Sequence, residues 1–530
     1  MKTIAVKSYA LIAALLAGDA DQIELESYEV NTEKGGGLFA RVDASLPEVE
    51  GFRVKTADGV VFERRFPEDV RPSLHAEHIG WTPAFSDDAA NFLEKLWRLA
   101  TAANLPAEYP KSYIFRVNRM IKLPRNLPGI IGNNSFVYFV FDKADFLGIL
   151  SDKGINHCKI ENMHVDYDRA DARIKKVIGL WLQDQQFCEV RNCNINSKEN
   201  HSLLLRATPN LSSPLEGFVA EGVVTYVSRV NENDPRQNFL ADVEEPGKAD
   251  ETWKETQTVP KRVGHINYRF TRCEAWCGRY GFAGNWATGF IIKDCLGYKN
   301  IRTLSFQNGC DGNEVDGLVS LEVQSAALHW NYAPTNNHVH DCVIKSSRAN
   351  NQGAIHVSLG AHGNTFERIN IECTSDTGMR WAVYGGADYC NNIMRDIVVN
   401  GRAFQGLAVF ESGWVAGDKH GGYGGVINRA EGADIGKWQS GASVNNVFEN
   451  VEINSDSVAA AVVIAAVEQN IDGFRLRNVR VNGERHVKDL RLIEVGGRIK
   501  NLTVDGVKIR PEKCDLGDMA MYQLYRPVIA

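Results

Sequence analysis

Three carboxylates stand within six residues of this 530-residue chain at Asp311-Gly312-Asn313-Glu314-Val315-Asp316. Hydrolysis of a glycosidic bond takes two carboxyl groups, one as acid and one as base or nucleophile, and their separation decides retention or inversion. Asp311 and Glu314 are the candidates here. Asp316 has a counterpart, Asp505, at the same place of a repeated phrase, so it reads as a repeat-position surface residue. Asp388, in Gly385-Gly386-Ala387-Asp388-Tyr389, and Glu411, in Val409-Phe410-Glu411-Ser412-Gly413-Trp414, close comparable segments further on, and Asp184 sits similarly in an early one. The reading is Glu314 or Asp311 paired with Asp388 or Glu411. The plain alternative for each is a solvated turn residue.

A second set surrounds two histidines. Ala327-Leu328-His329-Trp330-Asn331-Tyr332 aligns with Ala354-Ile355-His356-Val357-Ser358-Leu359, and Thr303-Leu304-Ser305-Phe306-Gln307 precedes them. If Leu328 and Ile355 face a core, strand alternation turns His329 and His356 outward and stacks them, with Ser305 below. Gln307, Asn331 and Ser358 then form a parallel polar row. Such a ladder suits a bound sugar chain; a solvated outer face is the plain reading. Sugar C–H faces pack on aromatic rings, which adds Trp286, Trp330, Trp381, Tyr384, Trp414 and Tyr423, although alternation sends Trp330 inward. Elimination is the alternative chemistry. It needs a base for the proton beside a uronate carboxyl, with cations or donors stabilising the enolate. His329, His356, Arg380 and Tyr384 suit those roles.

Other chemistries lack support. Cys273 and Cys277 have no His/Cys partners at metal-ligand spacing, so no metal is expected. There is no phosphate-cradling loop and no Gly-x-Ser-x-Gly elbow, and no cofactor is implied.

The element that must position these residues is a repeated phrase: apolar, any residue, turn-prone or basic, apolar. It reads Ile160-Glu161-Asn162-Met163, Val190-Arg191-Asn192-Cys193, Phe270-Thr271-Arg272-Cys273 and Ile292-Lys293-Asp294-Cys295. It recurs at Val315, Val339, Phe366, Met394, Phe448, Leu476 and Val504, with third positions mostly 22 to 30 residues apart. That period marks a solenoid, and its alternating, turn-bounded units are strands with no room for paired helices. The expected fold is all-β, a right-handed single-stranded parallel β-helix in which each coil buries its inner face by stacking on neighbours. The last position is always apolar or cysteine, predicting an interior ladder that holds four of the eleven cysteines as small buried hydrophobes.

Composition is that of an ordinary globular chain: 24% charged residues and a net charge of −7 give no general attraction for nucleic acid or anionic membrane. The odd cysteine count argues against a disulfide framework and for a reducing compartment. The apolar run Tyr9 to Ala17 is read as a folded helix rather than a signal peptide, and no segment is long and apolar enough to span a bilayer. The expected division is a stem or attachment module at 1–80, a capping helix and entry at 81–112, a solenoid at 113–511 and a tail at 512–530. Residues 87–104 form the amphipathic helix, capped by Ser86 or Asp87. Insertions are expected near 206–265 and 411–444, the first starting as degenerate coil, and binding residues gather on such excursions.

Three segments resemble bacteriophage tailspikes. Ala17-Gly18-Asp19 through Ser27-Tyr28-Glu29-Val30, with Gly35-Gly36-Gly37-Leu38-Phe39 and Val42-Asp43, resembles the tailspike stem module. Ser86-Asp87-Asp88-Ala89-Ala90 is similar to the helix cap of pectate-lyase-like β-helices, and Leu123-Pro124 with Ile130-Ile131-Gly132 to their first-coil phrase. The resemblance spans nearly the whole chain but specifies no catalytic residue. It implies a homotrimer, attachment to the phage tail or baseplate through the N-terminal module, and a virion protein made in the host cytoplasm. It also implies endo-cleavage of a bacterial capsule or O-antigen polysaccharide. The large particle-binding domain of many tailspikes is here at most a stub. The paired-aspartate and Gly-His-Gly phrases of polygalacturonase-like hydrolases are not reproduced; Ala361-His362-Gly363 is a poor echo. The reading is endo-hydrolysis by paired carboxylates. The alternatives are a lyase acting on a uronate-containing glycan, a non-catalytic receptor-binding spike, and a secreted pectinase-like enzyme.

Overall fold

A computed structural model describes residues 2–29, 34–81, 88–141, 146–208, 213–228, 237–243, 264–307, 309–331, 334–347, 354–358, 360–374, 379–386, 389–401, 403–412, 443–454, 462–467, 470–482, 490–495, 497–505 and 511–514. Contacts divide the chain into two compact units, Met1–Asn200 with Phe218–Val223, and His201–Gly217 with Val224–Ala530.

The first unit opens with a five-stranded sheet of β1 (Thr3–Ser8), β2 (Gln22–Ser27), β3 (Gly35–Val42), β4 (Arg53–Lys55) and β5 (Val61–Arg64), in the order β1-β2-β3-β5-β4. The helix α1 (Tyr9–Ala13) links β1 to β2, which makes that pair parallel, while β3 pairs antiparallel with β2 and β5. Alternation sends Ile23, Leu25, Phe39 and Phe62 into one core with Ile12 of α1. α1 is shorter than the run Tyr9 to Ala17 suggested: no side chain caps it, and Leu15 turns back to the Ile12 carbonyl. The Gly35-Gly36-Gly37 run lets two backbones close, since a Cβ on Gly36 would lie 2.3 Å from the Glu26 carbonyl oxygen.

The amphipathic helix is α2 (Ala90–Ala103), which buries Leu93, Leu96 and Trp97 and ties down the first strands of the solenoid. Trp97 Nε1 donates to the Tyr109 hydroxyl at 3.0 Å, and Arg119 pairs with Glu94. Ser86 and Asp87 lie outside the described residues; Asp88 Oδ1 accepts from the Ala90 amide at 3.0 Å. Parallel coils follow. Ile160 registers on Val190, and Met163 and Cys193 beneath them are buried.

The second unit is a parallel β-helix. The phrase's first positions stand in one register, Phe270, Ile292, Val315, Val339, Phe366, Met394, Phe448, Leu476 and Val504. The third positions Asp294, Gly317, Asp341, Arg368, Asp396, Asn450 and Asn478 all have positive φ, between 46° and 68°. That explains the turn-prone residues there: the chain bends by one left-handed residue between two strands of each coil. The last positions Cys295, Leu318, Cys342, Ile369, Ile397, Val451 and Val479 are buried, and Val507 lies outside the described residues. The described cysteines are free thiols, and burial pushes Cys342 up to about 12, so these sulfurs behave as packing.

A second ladder, Asn313, Asn337, Asn364, Asn392 and Asn446, runs buried through five coils. Each amide donates to the next, at 2.7 Å, 2.8 Å, 2.8 Å and 3.3 Å. Coil strands stand within the stretch where an interruption is expected, near 206–265. Leu203–Ala207 pairs with Gln237–Val243, which pairs with Tyr280–Asn285. In the first unit Ala220-Glu221-Gly222-Val223 is a further copy of the phrase, with Gly222 at φ 60° and Val223 buried. Residues 244–263, 413–442 and 515–530 lie outside the described set.

Candidate functional site

Apart from Asp184, which belongs to the first unit, the described candidates distribute over two faces of the second unit. On the first face Lys293, Asp316, His340, Glu367 and Arg395 occupy one register across adjacent strands. Alternation presents them on the side opposite Ile292, Val315 and Val339. Lys293 Nζ sits 2.5 Å from Asp316, and both Asp341 oxygens accept from Arg368, at 2.8 Å and 2.9 Å. His340 lies among three carboxylates, 2.7 Å from Asp341, 3.5 Å from Glu314 and 3.6 Å from Asp316. The ligand atoms of Asp316, His340 and Asp341 come within 4.8 Å of one another, and the two carboxylates already pair with Lys293 and Arg368.

Asp311 stands in the turn before the strand Glu314–Asp316 of this face, whereas Glu411 is in Ala403–Ser412 and Asp388 lies outside the described residues. Asp311 Oδ1 accepts from Thr335 Oγ1 at 2.6 Å and Asn336 Nδ2 at 3.0 Å, which binds it into a turn. Glu314 is exposed on the strand after that turn.

Glu367 is the buried carboxylate of this face. Burial alone would raise it, but hydrogen bonds from Arg395, Arg368 and His338 outweigh that and hold it at about 2 rather than 4.5. Its folded value is depressed, so its contribution to stability is full above the unfolded value and is lost as pH falls through the folded one. The difference in thermal midpoint between the wild type and Glu367→Gln is therefore expected to be full at pH 6, to narrow below 4.5 and to vanish near 2. A constant difference measured over that range would deny the ion pairs any weight.

The second face is built by Tyr280–Asn285, Arg302–Gln307, Leu328–Asn331, Ile355–Ser358, Met379–Gly386 and Ala403–Ser412. Their register puts Ser305, His329, His356 and Tyr384 in one row. Gln307 pairs with Asn331, and Ser358, Gly386 and Glu411 follow in the neighbouring row. Adjacent strands lie about 4.8 Å apart, near the repeat of a sugar unit. The His329 and His356 rings stack at 5.1 Å and 26°, as the alignment predicts.

Their exposure differs from the expectation. His329 is 2% and His356 4% exposed, so the pair forms a floor and not an open outer row. His329 is also bonded to its neighbour in the register. Ser305 Oγ is 3.1 Å from His329 Nδ1, and Gln307 Nε2 donates back to Ser305 Oγ at 3.0 Å. Burial first, then the positive fields of Arg302 and neighbouring groups, drive His329 well below its ordinary value, so the ring is neutral at physiological pH. Trp330 is fully buried in the core, as alternation requires, and Trp286 is also buried, at φ 51°, so it offers no open ring.

The rim contains a residue that the strand alignment above did not single out. Tyr280 starts its strand opposite Arg302, and Arg302 Nη1 donates to its hydroxyl at 3.0 Å. The Arg302 and Arg279 guanidinium carbons each lie 5.4 Å from the Tyr280 ring centroid. Burial would raise the phenol, but the fields of Arg302 and Arg279, with hydrogen bonds from Gln307 and Arg302, outweigh it and lower the phenol below its ordinary 10. Tyr280, Arg279 and Gln307 are half-buried, so they edge the buried floor. Extending the strand alignment one coil towards the N-terminus would have set Tyr280 against Arg302.

Asn331, Ser358, Trp381, Tyr384 and Glu411 are placed here by their backbones. Asp388, Trp414 and Tyr423 lie outside the described residues.

No family model matches the chain, and no curated protein matches it. Solved structures do. The gp42 tailspike of Acinetobacter phage vb_AbaP_AS12 is similar over 96% of this chain and 75% of its own, at 12% identity and a TM-score of 0.44. The A-module of the Azotobacter vinelandii mannuronan C-5 epimerase AlgE6 is similar over 81% and 98%, at 13% identity and 0.49. The enzymatically active domain of bacteriophage CBA120 tailspike protein 4 is similar over 78% of this chain, at 11% identity and 0.40; the chain spans about half of that one, 53%.

Proposed function

We propose that this chain is a phage tailspike that binds a bacterial surface polysaccharide along its second face and cleaves it internally. The tailspike reading rests on the stem and first-coil phrases of the sequence together with the parallel β-helix. With it come a homotrimer and attachment to the phage tail through the N-terminal module. The observation that carries the site is Tyr280 held between Arg302 and Arg279, on the face that also holds Ser305 and the stacked His329 and His356.

That arrangement favours elimination. The Tyr280 phenolate takes the proton beside the carboxyl of a uronate residue. The electron pair forms a ring double bond, the bond to the neighbouring glycosidic oxygen breaks, and that oxygen leaves with a proton. Arg302 and Arg279 suit the carboxylate, whose negative charge grows in the transition state. Gln307, half-buried beside them, offers hydrogen bonds to sugar hydroxyls.

Hydrolysis by paired carboxylates is the second reading. It is favoured by one placement: the Glu411 backbone stands in the row of Ser358 and Gly386. Asp388, which follows Met379–Gly386 in the sequence and lies outside the described residues, is the second carboxyl of that reading.

Product analysis after incubation with a panel of capsules and O-antigens separates these readings. Shortened chains with unsaturated uronate ends are expected. New saturated reducing ends would move the chemistry to Glu411, and binding without shortening would leave a non-catalytic receptor-binding spike.

A further inference from the structure

In most coils the residue three positions before the start of the phrase adopts left-handed backbone, and it is asparagine or glycine: Asn267, Gly289, Gly312, Asn336, Gly363 and Asn391. These types bear that conformation at least cost. Two coils of the first unit break the rule. His157 and Phe187 hold the position at φ 52° and 50°. The pattern of amide bonds is the same: His157 donates to the Gln186 carbonyl as Asn267 does to that of Thr288.

A bulky side chain under this backbone strain ordinarily gains burial in return. Here it does not, since Phe187 is 39% exposed and His157 is exposed as well. The two rings instead lie face to face, 5.2 Å apart and 12° from parallel, as a flat step on the surface. Arg125, Asp152 and Asn156 are exposed on the adjoining turns, and Arg125 Nε donates to the Gly154 carbonyl at 3.2 Å. A flat apolar step edged by hydrogen-bonding groups matches a pyranose ring, which offers a C–H face and a rim of hydroxyls.

We infer that the His157–Phe187 step is a second glycan-binding platform, in the first unit, which stacks a pyranose residue of the same surface polysaccharide. The inference rests on the polysaccharide reading. Strain at an exposed position implies a use for the ring, because Asn would hold the turn more cheaply.

Phe187→Asn and His157→Asn restore the residue type of the other coils, so folding is expected to be kept, with a thermal midpoint equal to or above that of the wild type. Binding to purified capsular and O-antigen polysaccharides is measured for each variant and the wild type, together with the mass in solution. Affinity is expected to fall about tenfold in Phe187→Asn, the loss of one ring contact, with mass unchanged. Wild-type affinity in both variants would overturn the platform and leave the polysaccharide reading intact. A change in mass would overturn it by making the step a contact between chains. A wild type that binds none of the panel would overturn the polysaccharide reading and this inference with it.

Discussion

Replacing Tyr280 with Phe is expected to slow polysaccharide cleavage about 10²- to 10⁴-fold, the range for loss of a positioned proton-transfer group. The ring stays, so its contacts with Arg279 and Arg302 stay, and affinity is expected to remain within a few-fold. The pH dependence identifies the role. A base works when deprotonated, so the rate rises with pH. Its plateau comes below the range of a free phenol, because the cations of Arg302 and Arg279 and their neighbours' hydrogen bonds override the burial that would raise it. Arg302→Gln removes the donor 3.0 Å from the hydroxyl and is expected to move the rising limb to higher pH. Rates on intact and defined-length polysaccharide check both. Wild-type turnover by Tyr280→Phe would exclude the phenol and return the search to Glu411 and Asp388.

The largest expected loss of stability comes from the asparagine ladder. Asn364 accepts from the Asn337 amide at 3.1 Å and from its side chain at 2.8 Å, and donates to the Pro334 carbonyl at 3.1 Å and to Asn392 at 2.8 Å. All of this is buried. Asn364→Ala orphans groups on both neighbouring coils, at about 1–3 kcal/mol for each buried unpaired group. A total loss of about 3 kcal/mol or more is expected in denaturant unfolding. Because coils are stabilised mainly by their neighbours, amide exchange should accelerate in the strands beginning at His338, Thr365 and Ile393 before it does elsewhere in that unit. A substitution that left exchange unchanged there would mean that the backbone ladder alone holds these turns.

The ladder is written in the residue order, although it is a different signal from the apolar phrase. Asn313, Asn337, Asn364, Asn392 and Asn446 each stand two residues before a first apolar position: Val315, Val339, Phe366, Met394 and Phe448. A polar residue at constant offset from a buried strand is a repeat position as surely as an apolar one. The copy at Ala220 is harder to read, because alanine at its head weakens the pattern that identifies the others.

The coil itself follows from the residue pattern alone. Alternation specifies which side chains enter the core, the recurring third position specifies a left-handed turn residue, and a common period specifies that equivalent residues stack. These are local rules, repeated until they define the register, and Ile292 over Val315 over Val339 follows from them. The row of Ser305, His329 and His356 follows in the same way, since register is a one-dimensional property of the repeat.

What those rows are for depends on packing in three dimensions. Whether an outward histidine meets water depends on its surroundings in three dimensions, and the bonds that link Gln307 to Ser305 and Ser305 to His329 are contacts that alternation does not encode. Whether a carboxylate is free depends on which cation the next coil supplies. Asp341 meets Arg368 and Asp316 meets Lys293, while Asp311 is bound by Thr335 and Asn336. Tyr280 became a candidate only beside two guanidinium groups, because a phenol's acidity is set by the summed field of its surroundings and not by its place in a repeat.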